Sequence, residues 1–394
     1  MTAREAGQWI GDAIPGGAVA AALGVGTVGV TIAGVQPVLF GALLTAGRIS
    51  IAQIGHAATV ELLALGIGVI LGGSLFEHRP VRHTAIGAAM LLGIGNLATL
   101  AASGEGVTLA RLATGIAGGV LIWIATAVVV RSPRPTFLSA AFLLSQALVQ
   151  CAVASSIAFL APGAPNGVPF AIAGLAVLAA VVTPALPVRF AALPKEPTAS
   201  GLPPMRGWGV LGAILLLQAA IVGAWVYMEP MAREAGLAPT QVAFSTPAAN
   251  AAQIAGGLGA ILLATRLPWF IGLTCATLGL VGVLFGLSTL PHGGWFVATE
   301  MAFGALWTFT SPFLTPFAID NDPTRHTAEF GPSAMLVGSG LGPLVASALT
   351  SEEHPAEVLR LSTLLAVTAL ALILTLFATR RRSTTQPRGL RDDA

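Results

Sequence analysis

Charge is what this sequence has least of: 9% of its 394 residues are Asp, Glu, Lys or Arg, where soluble domains carry about a quarter. A water-soluble fold of this length needs solvated faces on its outer helices, and too few charges exist to cover them. Tyrosine occurs once and cysteine twice. Cys151 and Cys275 fall inside apolar stretches on different segments, without the spacing of a disulfide framework or a metal site, and read as small buried side chains. No Walker-type phosphate loop occurs, so direct ATP coupling has no support in this chain. Histidine, cysteine and aspartate are too sparse inside the apolar stretches to assemble a nucleophile with its base. An intramembrane enzyme therefore lacks its parts, and neither a cofactor nor a metal is expected.

What the chain does have is hydrophobic length. Apolar residues make up 55% of it and the mean hydropathy is +0.83. Cut at its polar residues, it falls into twelve runs: 17–44, 51–76, 84–102, 107–130, 136–160, 168–190, 209–231, 241–264, 269–290, 295–317, 328–349 and 358–378. A helix crosses a bilayer's hydrocarbon core, about 30 Å thick, with roughly 20 mostly apolar residues. The expectation is an all-α, polytopic membrane protein of twelve transmembrane helices, with its working part among them. The first run is too long for a signal-peptide core and is read as the first span. The 47 Gly and 26 Pro suit membrane helices, where close packing and kinks are tolerated. Gly256, Gly257, Gly259 and Ala260 read as a packing surface.

Basic residues collect in alternate gaps. Arg4, Arg79, Arg82, Arg131, Arg134, Arg189, Lys195, Arg206, Arg266 and Arg325 lie on one side with the tail arginines 380–382, 388 and 391. The opposite gaps hold Arg48, Arg233 and Arg360 against Glu105, Glu352, Glu353 and Glu357. By the positive-inside rule both termini are cytoplasmic, which an even number of spans requires. The pI of about 8.9 reflects this topology and the basic tail, so no nucleic-acid partner is implied. The location expected is the cell (inner) membrane.

The Pro-rich stretch after residue 190 divides the runs six and six. Residues 1–190 are expected to form one six-helix bundle, 191–207 a cytoplasmic linker, 208–379 a second bundle and 380–394 a basic tail. A shift of 188 places Gln53 on Gln241, and a shift of 189 places Arg111 on Glu300 and Gly115 on Gly304. Halves repeated in the same orientation are a known plan for carriers, with a substrate path between them near mid-membrane.

After the second run the chain reads Gly73-Ser74-Leu75-Phe76-Glu77-His78-Arg79-Pro80-Val81-Arg82, and the fourth run holds Arg111-x-x-x-Gly115-x-x-Gly118-Gly119. These stretches resemble the cytoplasmic-loop and fourth-helix signatures of the major facilitator superfamily. Gly73, Leu75, Glu77 and Arg82 match the loop pattern; Glu77 replaces its aspartate, and Pro80 stands where its second glycine is expected. The resemblance implies a two-bundle carrier fold, with Glu77 latching onto the eleventh helix in the outward-facing state. The alternative is a solvated charged turn. The fifth run lacks the spaced glycines usual in the family's proton antiporters; a similar Gly338-x-Gly340-x-Gly342-Pro343 lies on the eleventh run instead.

Glu61 sits about ten residues into its run, roughly 15 Å deep at 1.5 Å per residue, and an ionisable group at that depth is a functional hypothesis by default. Glu61 is read as the proton- or cation-coupling residue and Arg111 as its counter-charge. A fixed structural ion pair is the competing reading, and snorkelling to the outer surface competes for Arg111. Candidate substrate contacts are Gln36, Gln146, Gln150, Gln218, Tyr227, Asn250, Gln253, Glu300 and Trp307, with interhelical hydrogen bonding the competing role for each amide. Tyr227 is equally read as an interfacial anchor. Gly73, Glu77, Arg79, Arg82, Asp320, Asp322 and Arg325 are gating candidates at the basic ends of the runs. Together these point to a secondary transporter of a small organic solute, driven most plausibly by protons. Drug-type efflux and uptake of an apolar or aromatic compound both stay open, as does a non-transporting membrane receptor or scaffold. Partners expected are the solute, protons and the lipid bilayer; the oligomeric state is open.

Overall fold

The structure is a computed structural model that describes residues 15–76, 79–132, 135–160, 164–190, 202–264, 266–322, 325–351 and 354–384. Most of the linker, the end of the tail and Glu77 therefore lie outside the described residues. Among those described, every long element is an α-helix: α1 Gly16–Thr45, α2 Ile51–Leu75, α3 Val81–Ala101, α4 Glu105–Val130, α5 Pro135–Leu160, α6 Gly167–Val182, α7 Met205–Trp225, α8 Met228–Glu234, α9 Pro239–Ala264, α10 Trp269–Ser288, α11 Gly294–Asn321, α12 His326–Leu349 and α13 Val358–Thr384.

Among the described residues, ten helical segments are long and apolar enough to cross a membrane. Helices α9 and α11, at 26 and 28 residues, have the length but lower hydropathy. Their polar residues are responsible: Gln241, Ser245, Asn250 and Gln253 on one, Glu300, Thr308 and Thr310 on the other.

Two runs break where the sequence reading kept them whole. The sixth ends its α-helix at Val182 and continues as a 3-10 turn, Thr183–Ala185, because Pro184 supplies no N–H to the ladder. The seventh stops at Trp225, turns through Val226 and Tyr227, and resumes as the short α8. Pro230, in the first turn of α8, needs no helical N–H partner there. Cys275 is exposed on its helix surface rather than buried, and Cys151 is half-buried.

Local chemistry sets the helix ends. Ser50 and Gln53 form a reciprocal capping box at the start of α2, satisfying two orphan donors. Arg48 closes the α1–α2 loop onto α3, its Nε donating to the Ala102 carbonyl at 2.9 Å and Nη2 reaching the Thr99 carbonyl. That satisfies carbonyls left open at the helix C-terminus.

The internal repeat is visible in packing. Helix α4 packs on α1, α2 and α3, and α3 on α6; correspondingly α11 packs on α7, α9 and α10, and α10 on α13. The match extends to single contacts. A Cβ on Gly68 would overlap the Ile116 carbonyl, and one on Gly256 the Ala305 carbonyl. Gly115 lies against the Glu61 carbonyl and Gly304 against that of Ala249. Gly104 and Gly293 both adopt positive φ, 53° and 59°, as the turns before α4 and α11 require. All are related by the same shifts of 188 and 189. Between the two sets, α2 packs on α12 and α5 on α9, a pair of seams that the repeat also exchanges.

Candidate functional site

Buried polarity concentrates first where α1, α2, α3 and α4 meet. Gly115 and Gly119 let α4 approach the α2 backbone closely, which brings Arg111 onto Glu61. Both side chains are fully buried, with Nη1 to Oε1 at 3.2 Å. Thr114 donates to the same oxygen at 2.9 Å and Gln36 to Oε2 at 3.2 Å. The guanidinium Nη2 donates to Asn96 Oδ1 at 3.2 Å and to the Thr99 hydroxyl. Among the described residues, Arg111 Nε and Gln36 Oε1 have no hydrogen-bond partner. A buried ion pair persists only with such a shell, since each ion alone bears a desolvation cost of several kcal/mol. Arg111 points into this cluster, so snorkelling is not its role.

A second group lies where helices of the two repeated sets meet. Pro37 has no N–H to give the Ala33 carbonyl four residues back; Trp225 Nε1 donates to that oxygen at 2.9 Å from α7. Asn250 Nδ2 donates to the Gly34 carbonyl at 3.0 Å, and Gln253 Nε2 to Asn250 Oδ1 at 3.1 Å. Within the first half, Gln150 Nε2 donates to the Val30 carbonyl at 3.2 Å. These three amides are interhelical or network bonds in this conformation. Gln218 is buried on α7, and Gln146 is half-buried one turn before Gln150. Trp307 is half-buried, edge-on to Trp225 at 5.7 Å. Tyr227 is fully buried, not an interfacial anchor: its hydroxyl lies 3.5 Å from the Ile51 carbonyl. The turn between α7 and α8 places it there, against α2. Further bonds across the halves run from the Thr59 hydroxyl to the Gly340 carbonyl, 2.8 Å, and from Cys151 Sγ to the Pro247 carbonyl, 3.8 Å.

A cavity of about 420 Å³ opens at the ends of α1, α5, α8 and α9. Its walls are apolar, chiefly Val38, Ile157, Phe159, Val242 and Phe244, and its charged lining is Glu229 with Arg233. These two pair at 2.6 Å, one helical turn apart. Their i,i+4 spacing was readable in the sequence, but the broken helix that turns them onto α1 was not. None of the nine substrate candidates named above lines this cavity. Glu300 is fully buried on α11, and among the described residues neither carboxyl oxygen has a hydrogen-bond partner.

The gating candidates other than Glu77 lie near the α2–α3 and α11–α12 turns. Gly73 lies 3.6 Å from the Trp123 indole nitrogen, measured from an added Cβ. Arg79 sits over the Phe76 ring at 6.0 Å, and Arg82 Nε donates to the Leu186 carbonyl at 2.8 Å. Asp320 accepts from Trp269 Nε1 at 2.9 Å. Asp322 is buried and accepts from the Thr327 N–H and hydroxyl, each 2.8 Å, which ties the α11–α12 turn. Arg325 is exposed, in the left-handed region at φ 67°. Sequence reasoning missed Thr99, Thr114 and Trp225. Hydroxyls and a tryptophan in apolar runs look like packing until a partner is placed beside them.

No family model and no curated protein sequence matches the chain. Solved structures do. The nucleoside transporter NupG is similar over 91% of this chain and 99% of its own, at 11% identity and a TM-score of 0.76. A D-xylose–proton symporter is similar over 91% and 96%, at 14% identity and a TM-score of 0.71. A bacterial homologue of the human lysosomal transporter Spinster, inward-facing and unoccupied, is similar over 94% and 98%, at 14% identity and a TM-score of 0.67. At these identities the likeness is one of fold. The chain has the fold of major facilitator transporters, and it is an integral membrane protein.

Proposed function

We propose that this protein is a proton-coupled secondary transporter of a small organic solute. In this reading twelve membrane spans form two six-helix halves, 1–190 and 208–379, the seventh span being α7 with α8. The linker 191–207, the tail 380–394 and both termini face the cytoplasm, and the host membrane is the cell's inner membrane. The observation that carries the reading is the fully buried Glu61–Arg111 pair inside one of two halves with repeated packing. Protonation of Glu61 would replace an ion pair by a lone guanidinium with new demands on its surroundings, so the pair is a two-state element that a proton can bias. The inter-half bonds from Trp225, Asn250, Thr59 and Tyr227 lie from mid-helix towards the ends carrying Thr45, Ile51 and Pro239. In the positive-inside orientation that closes the outer side. Gly73, Arg79, Arg82, Asp320, Asp322 and Arg325 sit on the opposite, cytoplasmic side in this reading, where the halves must close in the alternate state; Glu77 keeps the gating role that its sequence position suggests.

Likeness to a nucleoside transporter and a xylose–proton symporter supports a small organic solute and a proton as the moving species. Uptake and efflux both fit this geometry. The test is reconstitution in liposomes with a pH-sensitive dye inside. Solute addition is expected to move protons, and Glu61→Gln to abolish gradient-driven accumulation while leaving exchange of solute. Full concentrative transport by Glu61→Gln would remove that residue from coupling.

A further inference from the structure

The repeat makes one asymmetry explicit. The shift that lays α2 on α9 puts Glu61 on Ala249, and the shift that lays α4 on α11 puts Arg111 on Glu300. Where the first half has an acid and a base at these positions, the second has an alanine and an acid. Glu300 is fully buried, with both oxygens unpartnered among the described residues.

No other charge meets it from the helices around α11. Helices α9 and α10 carry no acidic or basic residue, while α7 and α12 carry theirs, Arg206 and His326 with Glu329, near the far end. His292, in the loop before α11, is engaged with the Ala235 carbonyl at 2.9 Å. The Ser245 hydroxyl, which interacts with Glu300, donates its own hydrogen to the Val242 carbonyl at 3.1 Å, which leaves its oxygen able to accept one. The charged group within electrostatic reach is another acid, Glu229. Glu229 is itself nearly buried, yet it lines the 420 Å³ cavity beside Arg233. An ionised carboxylate without partners in such a place is far costlier than a neutral one. A neutral acid beside an accepting hydroxyl fits.

We propose that Glu300 is a proton-holding site in the second half, and that Glu229 passes protons between it and the cavity beside Arg233. A hydrated proton in the cavity adds to the Glu229 carboxylate, weakening its bond to Arg233. It then passes to the Glu300 carboxylate by way of water entering from the cavity, and Glu229 re-forms the ion pair. No other bond changes. The site deepens the proton-coupled reading and rests on it for its role in transport, but its proton is measurable without transport.

The experiment is infrared difference spectroscopy of the full-length protein in lipid nanodiscs at neutral pH. The protonated-carboxyl C=O band is expected in the wild type and in Glu61→Gln, and absent from Glu300→Gln. In Glu229→Gln the band should persist, but its shift on transfer to deuterated water should be at least about 100-fold slower, the low end of what a positioned proton-transfer group contributes. If Glu300→Gln fails to fold, Glu300→Asp keeps a carboxyl and should move the band. A band that Glu300 substitutions neither remove nor move overturns the proposal, as does unslowed exchange in Glu229→Gln. If solute never moves protons in liposomes while the band behaves as stated, coupled transport fails and the proton site stands.

Discussion

Replacing Trp225 by Phe removes one donor and little else, and its consequence can be worked from the geometry. The ring that stacks on Phe303, centroids 6.4 Å apart and 10° from parallel, is largely kept. The Nε1 bond of 2.9 Å to the Ala33 carbonyl is lost, and because Pro37 supplies no N–H, that carbonyl has no helical donor to fall back on. A hydrogen bond is worth about 0.5–1.5 kcal/mol net, and a stranded buried acceptor costs about 1–3 kcal/mol. In a state with the halves parted on that side, water reaches Ala33 and the penalty disappears. The substitution therefore weakens the closed state by about 1–2 kcal/mol, which is a roughly 5- to 30-fold change in population. Cys151 reports on it, since its Sγ lies at the α5–α9 seam, 3.8 Å from the Pro247 carbonyl. With Cys275 replaced by Ser, labelling of Cys151 by an impermeant maleimide from outside should accelerate by that factor. Pro37→Ala returns an N–H to Ala33, so in that background Trp225→Phe should change labelling by less than about 0.5 kcal/mol equivalent, a coupled pair rather than an additive one. Equal effects in both backgrounds would refute the reasoning.

Two further outcomes follow from packing and charge. Arg111→Leu strands Glu61 and should cost about 3–5 kcal/mol, with the Glu61→Leu, Arg111→Leu double variant recovering most of it because a buried pair is often replaceable by apolar residues. Thermal unfolding in detergent measures this, and an Arg111→Leu protein as stable as wild type would show that Glu61 finds another partner. Gly119→Val places a Cβ on the Leu65 carbonyl, whereas a Cβ at Gly259 meets nothing within 4 Å. The first should lower stability by about 1–3 kcal/mol or more, as overpacking does, and Gly259→Val by much less; equal losses would contradict the close α2–α4 approach.

Much of this was legible in the residues. The runs became helices because length and hydropathy decide the matter in a membrane, and the pairing of Glu61 with Arg111 followed from the cost of either charge alone. The repeat was readable at Gln53 and Gly115, which fall on positions with the same contacts in the second half, while Arg111 falls on Glu300, which has no ion-pair partner among the described residues. What could not be read was how a backbone break redirects its neighbours. The turn at Val226 and Tyr227 buried a tyrosine that looked suited to the membrane surface, and it swung Glu229 and Arg233 into a cavity. The amides Gln150 and Asn250 were open to a ligand or to an interhelical bond, and each donates to a carbonyl on α1, a partner that only the folded arrangement identifies.

The glycine-on-carbonyl contacts at Gly68, Gly115, Gly256 and Gly304 bear on mechanics. Backbones that touch without an intervening side chain have no lubricating layer, so α2 cannot slide along α4, nor α9 along α11, without a collision. Each half thus behaves as a stiff lever, and compliance is left to the α2–α12 and α5–α9 seams. A locking cross-link across either seam should freeze the whole molecule, whereas one placed inside a half should be kinetically silent.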